Sequence, residues 1–388
     1  MKKRIYLDYA ATTPVDPYVA QKMQPYFTEI FGNPSSLHTE GRNAHTTLEN
    51  ARNDVARVLN VQPQEILFTG SGTESDNIAL QGVAHAYRSH GRHIVVSSIE
   101  HKAVLESASK LEKEGFLVTY LPTSSTGIVK LSSLKDALTP QTILVSIMMA
   151  NNEIGTIQPI RKISSLIKKH HQTITPFFHT DACQAAGTMN LDVQKLGVDL
   201  LTINGSKIYG PKGVGCLYIK NGVRIDPLIV GGGQEKKRRG GTENIPYIIG
   251  FAEALTRIDK KRSKESERLT ALREYFIKKL IKIPKTRLNG HRIHRLPNNI
   301  HVSFYGIEGE SLLLLLDHHG VAVSTASACS TNDLSPSHVL KAINASDEWA
   351  HGSIRFTLGK YTTMKDIDYV MNILPKLVER LRNISPLQ

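Results

Sequence analysis

Residues 204–215 have the sequence NGSKIYGPKGVG and follow the apolar segment 198–203. Glycine, serine, asparagine and proline around a lysine predict a tight turn at the end of a strand, where backbone N–H groups surround a fixed amine. Such a turn suits a lysine that bonds to the carbonyl of a phosphate-bearing cofactor. The residues alone equally allow a solvated turn with two surface lysines, Lys207 and Lys212.

The composition indicates a soluble α/β protein of a reducing compartment. A chain of 388 residues can form one large α/β domain with a smaller one attached. The cysteines, Cys183, Cys216 and Cys329, are odd in number and widely spaced, which argues against a disulfide framework and a zinc site. Neither a secretory signal nor an apolar run of the roughly 20 residues that span a bilayer is visible, so we expect a cytoplasmic protein.

The charge is strongly positive, with a net value of +13 at pH 7. An anionic partner such as RNA, an acidic protein or a phosphorylated ligand would explain it. Aromatic residues make up only 6% of the chain, however, and no RNA-binding motif accompanies the scattered basic residues. A solvated basic surface is the favoured interpretation, and direct DNA binding is not expected.

Apolar segments alternate between strand and helix patterns in the first part of the chain. The predicted strands are 65–69, 93–99, 116–121, 142–150, 176–178 and 198–203. Helices between them predict a mostly parallel sheet with ligands at the carboxyl ends of its strands. Four polar residues fall at such ends: His101, Asn152, Asp181 and Gln184.

Two glycine-containing segments are candidate phosphate sites. Residues 70–75, Gly-Ser-Gly-Thr-Glu-Ser, lie between a strand and a helix, where free N–H groups and the helix dipole attract anions. An ordinary N-cap would leave the same pattern. Residues 231–244 form a glycine loop with the basic run 236–239, which would either cradle a phosphate or form a surface loop.

Three residues at neighbouring strand ends fit a pyridine cofactor. Asp181 offers a carboxylate for a ring nitrogen, His101 a ring that can stack, and Lys207 an amine for an aldehyde. Each taken alone has a plainer interpretation, since Asp181 would most often be a helix cap. The combination favours the cofactor.

Two further residues stand out in the last third of the chain. Cys329 lies in the small polar stretch 326–336, which predicts an exposed thiol that is either a tolerated accident or a nucleophile. Arg355 lies on the alternating strand pattern 353–357 and would bind a carboxylate or form an ordinary ion pair. Residues 245–260 and 265–282 predict two helices, and the segment 284–297 precedes a second apolar core.

Taken together, the motifs resemble the cysteine desulfurases, the class V branch of the pyridoxal-phosphate enzymes with the aspartate-aminotransferase fold. The resemblance covers nearly the whole chain and is carried by residues 6–14 (YLDYAATTP), 32–35 (GNPS), 73–75 (TES), 100–102 (EHK), 151–155 (NNEIG), 181–184 (DACQ), 207–213 (KIYGPKG), 240–242 (GGT), 327–329 (SAC) and 355–359 (RFTLG). It implies an α/β PLP-dependent transferase fold, with a large domain of residues 16–260 and a small domain of residues 1–15 and 261–388.

The resemblance also implies a role for each candidate residue. Lys207 would be the lysine that bonds to pyridoxal 5'-phosphate and then moves the substrate proton, and Cys329 would take the substrate sulfur as a persulfide. Arg355 would bind the carboxylate of L-cysteine. His101 would stack on the cofactor ring and, as a catalytic residue, assist proton transfer. The other residues that would contact the cofactor are Gly72, Thr73, Asn152, Asp181, Gln184, Asn204, Ser206 and, from the other subunit of a homodimer, Thr242. The family often has Ser and His where this chain has Asn204 and Ser206.

Three functions therefore stay open from the sequence. The first is a cysteine desulfurase that passes sulfur to an iron–sulfur scaffold or a tRNA thiolation enzyme. The second is another class V enzyme, such as a selenocysteine lyase or an aminotransferase. The third is a basic RNA- or protein-binding module without catalysis, against which the presence of Lys207, Asp181 and His101 argues.

Overall fold

The computed structural model describes residues 4–170, 175–325 and 337–385. The strands lie in three sheets, and their bounds are β1 (Ile5–Tyr6), β2 (Ile66–Thr69), β3 (His93–Ser97), β4 (Leu117–Leu121), β5 (Thr142–Ser146), β6 (Phe177–Asp181), β7 (Leu200–Asn204), β8 (Gly215–Ile219), β9 (Thr286–Leu288), β10 (Asn299–Phe304), β11 (Val321–Ala322) and β12 (Ser353–Thr357).

Helices cover the sheets, and their bounds are α1 (Pro17–Met23), α2 (Pro25–Thr28), α3 (Thr39–Leu59), α4 (Gly72–Asn77), α5 (Val83–Tyr87), α6 (Lys102–Lys113), α7 (Leu131–Ala137), α8 (Ile160–Lys169), α9 (Val193–Leu196), α10 (Ile245–Leu280), α11 (Gly309–His318), α12 (His338–Ala342), α13 (Asp347–His351) and α14 (Met364–Ile384). A π-helical segment, Ile78–Gly82, joins α4 to α5. Short 3₁₀ turns occur at Pro63–Glu65, Gly205–Lys207 and Gln234–Lys237.

The largest sheet has seven strands in the order β2-β8-β7-β6-β5-β3-β4. Strand β8 runs antiparallel to both of its neighbours, and the other pairs are parallel. Two apolar clusters cover the two faces: one contains Val145, Phe178 and Leu201, and the other contains Leu144 and Leu200. The mostly parallel sheet predicted from the sequence is confirmed.

A second core forms around the antiparallel sheet β12-β10-β9. Helices α11 and α14 pack on it together with the last turns of α10, which contribute Phe276 and Leu280. The amino-terminal strand joins this region, because Ile5 of β1 pairs in parallel with Val321 of β11. Both ends of the chain therefore meet in the smaller core.

Helix α10 is continuous over 36 residues, so the prediction of two helices with a break after residue 260 is wrong. The intervening residues include neither Gly nor Pro. Arg262 pairs with Asp259 at 2.5 Å and Arg268 with Glu265 at 2.7 Å, which supports successive turns. The predicted domain boundary between residues 260 and 261 lies inside this helix, and the division into two domains stays a prediction.

In the three described ranges, we find no helix that is both long and apolar enough to cross a bilayer. The same ranges contain no cluster of three or more His, Cys, Asp and Glu side chains suited to a metal ion.

Candidate active site

The site lies where the carboxyl ends of β6 and β7 meet the turn between β2 and α4. Strand β6 ends at Asp181 and β7 at Asn204. A Cβ atom added to Gly72 would lie 2.8 Å from Cys183 Sγ and 3.2 Å from Asn204 Cβ. Glycine is therefore required for the three chain segments to approach this closely.

Lys207 ends a 3₁₀ turn that is held from both sides. The side chain of Asn204 caps the turn by accepting a hydrogen bond from Ser206 N at 3.3 Å. Thr13 N donates to Ser206 O at 2.8 Å, and Lys207 Nζ donates to Ala11 O at 2.5 Å. The amine is fixed against the amino-terminal segment, as the sequence predicted for a reactive lysine, whereas Lys212 of the same stretch is exposed.

Asp181 ends β6 and His101 follows β3, and in the sheet these two strands are separated by β5. Asp181 is 7% exposed, and its Oδ1 accepts a hydrogen bond from Cys183 N at 2.8 Å. His101 caps α6, with Ala103 N donating to Nδ1 at 3.1 Å, so the ring proton of the neutral histidine is on Nε2. Burial lowers the pKa of His101. The charge of Asp181 raises this pKa, and the charge of Lys207 lowers it. Asp181, His101 and Lys207 all lie at or after the carboxyl ends of strands of the large sheet.

The turn before α4 has the geometry of an anion site. Ser71 caps the helix by accepting from Glu74 N at 3.1 Å, and the N–H groups that follow begin a helical segment reaching Tyr87. Gly72 is buried and Thr73 is exposed. The positive end of the helix dipole and the open N–H groups meet beside Asn204, where a phosphate would be stabilised.

Gln184 and Asn152 complete the predicted cofactor residues within one chain. Gln184 Nε2 donates to Ala10 O at 3.0 Å, next to the carbonyl that accepts from Lys207. The backbone oxygen of Asn152 accepts from Arg355 Nη1 at 2.9 Å. Gln184 therefore borders the site next to the carbonyl that holds Lys207, and Asn152 borders it by holding Arg355.

Arg355 forms an ion pair, which was one of the two alternatives left open by the sequence. Its Nη2 lies 2.9 Å from Asp8 Oδ1, and the residue is 7% exposed. The remaining nitrogen, Nε, is buried and has no hydrogen-bond partner among the described residues. The guanidinium is therefore fixed in place with one donor still unsatisfied.

The glycine loop 231–244 is anchored to helices α3 and α4 by two ion pairs. Glu235 forms a two-pronged ion pair with Arg52 at 2.8 and 2.9 Å, and both side chains are buried. Arg239 pairs with Glu74 at 2.9 Å, and Glu74 also accepts from Gly70 N at 2.8 Å. The loop thus supports the anion turn through Glu74. Thr242, at its end, is exposed.

Sequence reasoning assigned no role to four buried or partly buried acids around the site: Asp8, Asp76, Glu100 and Glu153. Burial raises the pKa of Glu100 to about 8 and that of Glu153 to about 7. Asp8, Glu100 and Glu153 are within quoted motifs, and Asp76 directly follows the motif 73–75. The signal that could have identified these acids was their position within or next to a recognised motif, where no function had been assigned to them.

Cys329 lies outside the described residues, within 326–336. The described chain on either side of this segment contacts the site. Ser324 pairs with Arg355, whose backbone N donates to Ser324 O at 2.7 Å. Ser337 Oγ donates to the carboxylate of Glu153, which follows Asn152.

The donor set fits pyridoxal 5'-phosphate. A held amine, a buried carboxylate, a neutral imidazole and a glycine-lined helix start surround the ends of β6 and β7. These match the aldehyde, ring nitrogen, ring face and phosphate of that molecule. Gly72 provides the observed cradle, since a Cβ there would occupy the space beside Asn204.

Comparison with known families and proteins gives a consistent result. The model of the family "Aminotransferase class-V" matches residues 5–370. A "Cysteine desulfurase IscS" of Dictyoglomus turgidum is 53% identical over 387 residues, covering 100% of this chain and 97% of that protein. A protein of the same name from Methanosarcina thermophila is 50% identical, covering 99% of this chain and 94% of its own length.

Solved structures show the same similarity in three dimensions. A "NifS-like protein" superposes with a TM-score of 0.92 at 39% identity, covering 98% of this chain and all of that one. A NifS-like protein from Rickettsia africae gives a TM-score of 0.86 at 31% identity, covering 97% of this chain and all of that one.

Proposed function

The chain belongs to the class V aminotransferase family, and on that premise we propose that it is a pyridoxal 5'-phosphate-dependent cysteine desulfurase, which converts L-cysteine to L-alanine and passes the sulfur on. The family and the fold indicated by the sequence are confirmed. The observation that carries the function is the held amine of Lys207, the buried carboxyl group of Asp181 and the close approach at Gly72, within a chain similar over its full length to cysteine desulfurases. An aminotransferase or selenocysteine lyase is less favoured, because the relatives compared above are named desulfurases.

The site residues divide the work of cofactor binding. The phosphate would be held by Gly72, Thr73, Asn204 and Ser206 at the start of α4 and beside the lysine turn, and Gln184 and Asn152 would contact the ring. Asp181 would pair with the ring nitrogen, and His101 would lie against the ring face. When bound, the cofactor supplies an electron sink for the carbon next to the substrate amine. Lys207 would bind the aldehyde and move the proton at the substrate Cα.

Arg355 and Cys329 would handle the substrate itself. Arg355 is fixed by Asp8 and Asn152 with Nε unsatisfied, and a carboxylate of L-cysteine would provide the missing acceptor. Cys329 would attack the substrate sulfur as a thiolate, so that an S–S bond forms as the C–S bond breaks. The products would be a persulfide on Cys329 and, after protonation, L-alanine.

A homodimer is part of the proposal. Thr242 is exposed in one protomer, as expected of a residue that reaches the phosphate of the partner subunit. Large apolar side chains are also uncovered, among them Leu37 at 89% and Val230 at 81%. Burial of such a surface against a second copy would stabilise the assembly. We expect a cytoplasmic enzyme whose acceptor is an iron–sulfur scaffold or a tRNA thiolation enzyme.

The decisive experiment supplies L-cysteine and a thiol reductant to the purified, cofactor-loaded protein and quantifies alanine, sulfide and pyruvate. Equal amounts of alanine and sulfide are expected. Pyruvate as the main product would instead indicate a lyase, and no turnover with either L-cysteine or L-selenocysteine would overturn the proposal. Light scattering on the same sample measures the mass of the assembly, which should be twice that of the 43.0 kDa chain.

A further inference from the structure

Asp76 is a fully buried carboxyl group that the proposed mechanism leaves without a role. It lies on α4, which packs against β7 and β8, and it is 1% exposed. The hydroxyl of Thr202 is close enough to its carboxyl group to lower its pKa, against the larger effect of burial. Asp76 Oδ1 has no hydrogen-bond partner in the described part of the chain. A charged carboxylate in this position would be poorly solvated.

A chain of side-chain hydrogen bonds crosses strands β5, β6 and β7 beside Asp76. Ser146 Oγ lies 2.8 Å from His179 Nδ1, and His179 Nε2 lies 3.0 Å from Thr202 Oγ1. Both ring nitrogens of His179 are thus hydrogen-bonded to hydroxyl groups, those of Ser146 and Thr202. Burial lowers the pKa of His179 to about 4, so the ring is neutral and offers no counter-charge to Asp76.

The charged groups around Asp76 are mainly acidic. Burial raises the pKa of Asp76, and the charges of Asp181 and Glu100 raise it further. The basic side chain paired with Asp76 in the described residues is His179, whose Nε2 lies 3.7 Å from Asp76 Oδ1 and whose ring is neutral. Asp181, in contrast, accepts a backbone hydrogen bond from Cys183. Of the two interacting carboxyl groups, Asp181 is the better placed to hold the negative charge.

We propose that Asp76 is a positioning residue that stays protonated and so leaves Asp181 as the single negative charge facing the cofactor ring. The inference rests on the proposed function, which pairs Asp181 with the ring nitrogen. A protonated neighbour lets Asp181 ionise in a buried site without facing a second buried charge. Asp76 therefore acts on the chemistry only through Asp181.

The first test is independent of the cofactor. Unfolding of the apoprotein is followed from about pH 5 to about pH 8 for the parent, Asp76→Asn and, as a control, Asp192→Asn. A carboxyl group that keeps its proton only in the folded state weakens folding as the pH rises. Asp76→Asn should therefore gain stability relative to the parent with rising pH. Asp192 has a lowered pKa, despite an opposing desolvation effect, through hydrogen bonds from Asn60 and Lys195. Asp192 is therefore ionised in both the folded and the unfolded state across this range, and its replacement should show no trend with pH.

The sign of that slope decides the inference. A constant difference in stability between Asp76→Asn and the parent across this pH range would mean that Asp76 is ionised in the folded protein, and the proposal would be wrong. Infrared difference spectroscopy on the parent gives a second measurement that does not need a stable variant at every pH. A protonated-carboxyl C=O band should be lost in Asp76→Asn and shifted in Thr202→Val, which removes the hydroxyl group next to that carboxyl. Loss of that band in Asp181→Asn instead would overturn the assignment.

The link to the cofactor is tested by binding. Titration of the apoprotein with pyridoxal 5'-phosphate should give Asp76→Asn an affinity within about threefold of the parent, because one neutral group replaces another of the same shape. Asp181→Asn should bind at least tenfold more weakly. Equal weakening of both variants would contradict a neutral Asp76. If the parent itself binds no cofactor, the proposed function fails while the pH and infrared results still decide the state of Asp76.

Discussion

Arg355 Nη2 lies 2.9 Å from Asp8 Oδ1 and joins β12 to the segment after β1 across 347 residues of sequence. The same guanidinium donates to Asn152 O, which belongs to the loop after β5. The Arg355 guanidinium thus connects the amino-terminal segment, the smaller core and the loop at the carboxyl end of β5 in the large sheet. It does so at the place where the substrate carboxylate is expected.

Arg355→Lys should raise the KM for L-cysteine while the visible spectrum of the bound cofactor is kept. Lysine retains the charge but cannot contact Asp8, Asn152 and a substrate carboxylate at once. Loss of one charge-assisted hydrogen bond, worth about 1.5–3 kcal/mol, corresponds to roughly a 10- to 100-fold rise in KM. Steady-state kinetics measure it. Arg382→Lys, where Arg382 donates only to Tyr305 O and Lys285 O in the described structure, is the matched control and should leave KM unchanged.

Lys207→Ala should abolish both turnover and the visible absorbance of the lysine-bound cofactor. Lys212→Ala tests the same stretch of sequence at an exposed lysine and should keep both. Absorption spectra after addition of pyridoxal 5'-phosphate, followed by alanine quantification, distinguish the two variants. Normal turnover by Lys207→Ala, or loss of the absorbance in Lys212→Ala alone, would show that the wrong lysine has been assigned.

Most helices and strands could be predicted because the spacing of apolar residues that identifies each of them lies within a short stretch of sequence. The spacing of Ala44, Leu48 and Val55 is helical and predicts a helix over residues 39–59, which are the bounds of α3, and His38 caps that helix. The break predicted within α10 was wrong, since a charged surface on a long helix resembles a linker. The strand ends carrying Asp181 and Asn204 were also predicted, because apolar runs that stop at polar residues mark them.

What could not be predicted depends on contacts distant in sequence. Asp76 is adjacent to a recognised motif, yet its burial follows from the packing of α4 on β7 and β8. Carboxyl groups are usually exposed, so the expectation for any single acid is a surface position. The pairing of Asp8 with Arg355 likewise requires both ends of the chain to meet. The roles of the individual site residues stay predictions until variants are measured.

Glu235→Ala should destabilise the protein by about 3–5 kcal/mol, because the buried Arg52 loses its two-pronged ion pair and keeps the weaker, more exposed pair with Glu49. Glu235 also accepts from Phe68 N at 3.2 Å, so the β2 backbone loses an acceptor as well. Denaturant unfolding measures the change. Arg57→Ala breaks an exposed pair with Asp54 and should cost less than about 1 kcal/mol. Equal effects of the two variants would contradict the anchoring role of Glu235.

Cys329→Ser should keep the cofactor spectrum but form no persulfide with L-cysteine. The other two cysteines are poor candidates for the nucleophile, because both are buried and burial raises the pKa of the Cys183 and Cys216 thiols. Cys216→Ala is the control, since this residue lies inside β8 in the apolar core. Mass spectrometry of the protein after a single turnover should locate the added sulfur at Cys329 in the parent and in the control. Desulfuration by Cys329→Ser at the parental rate would mean that the substrate sulfur leaves without this thiol.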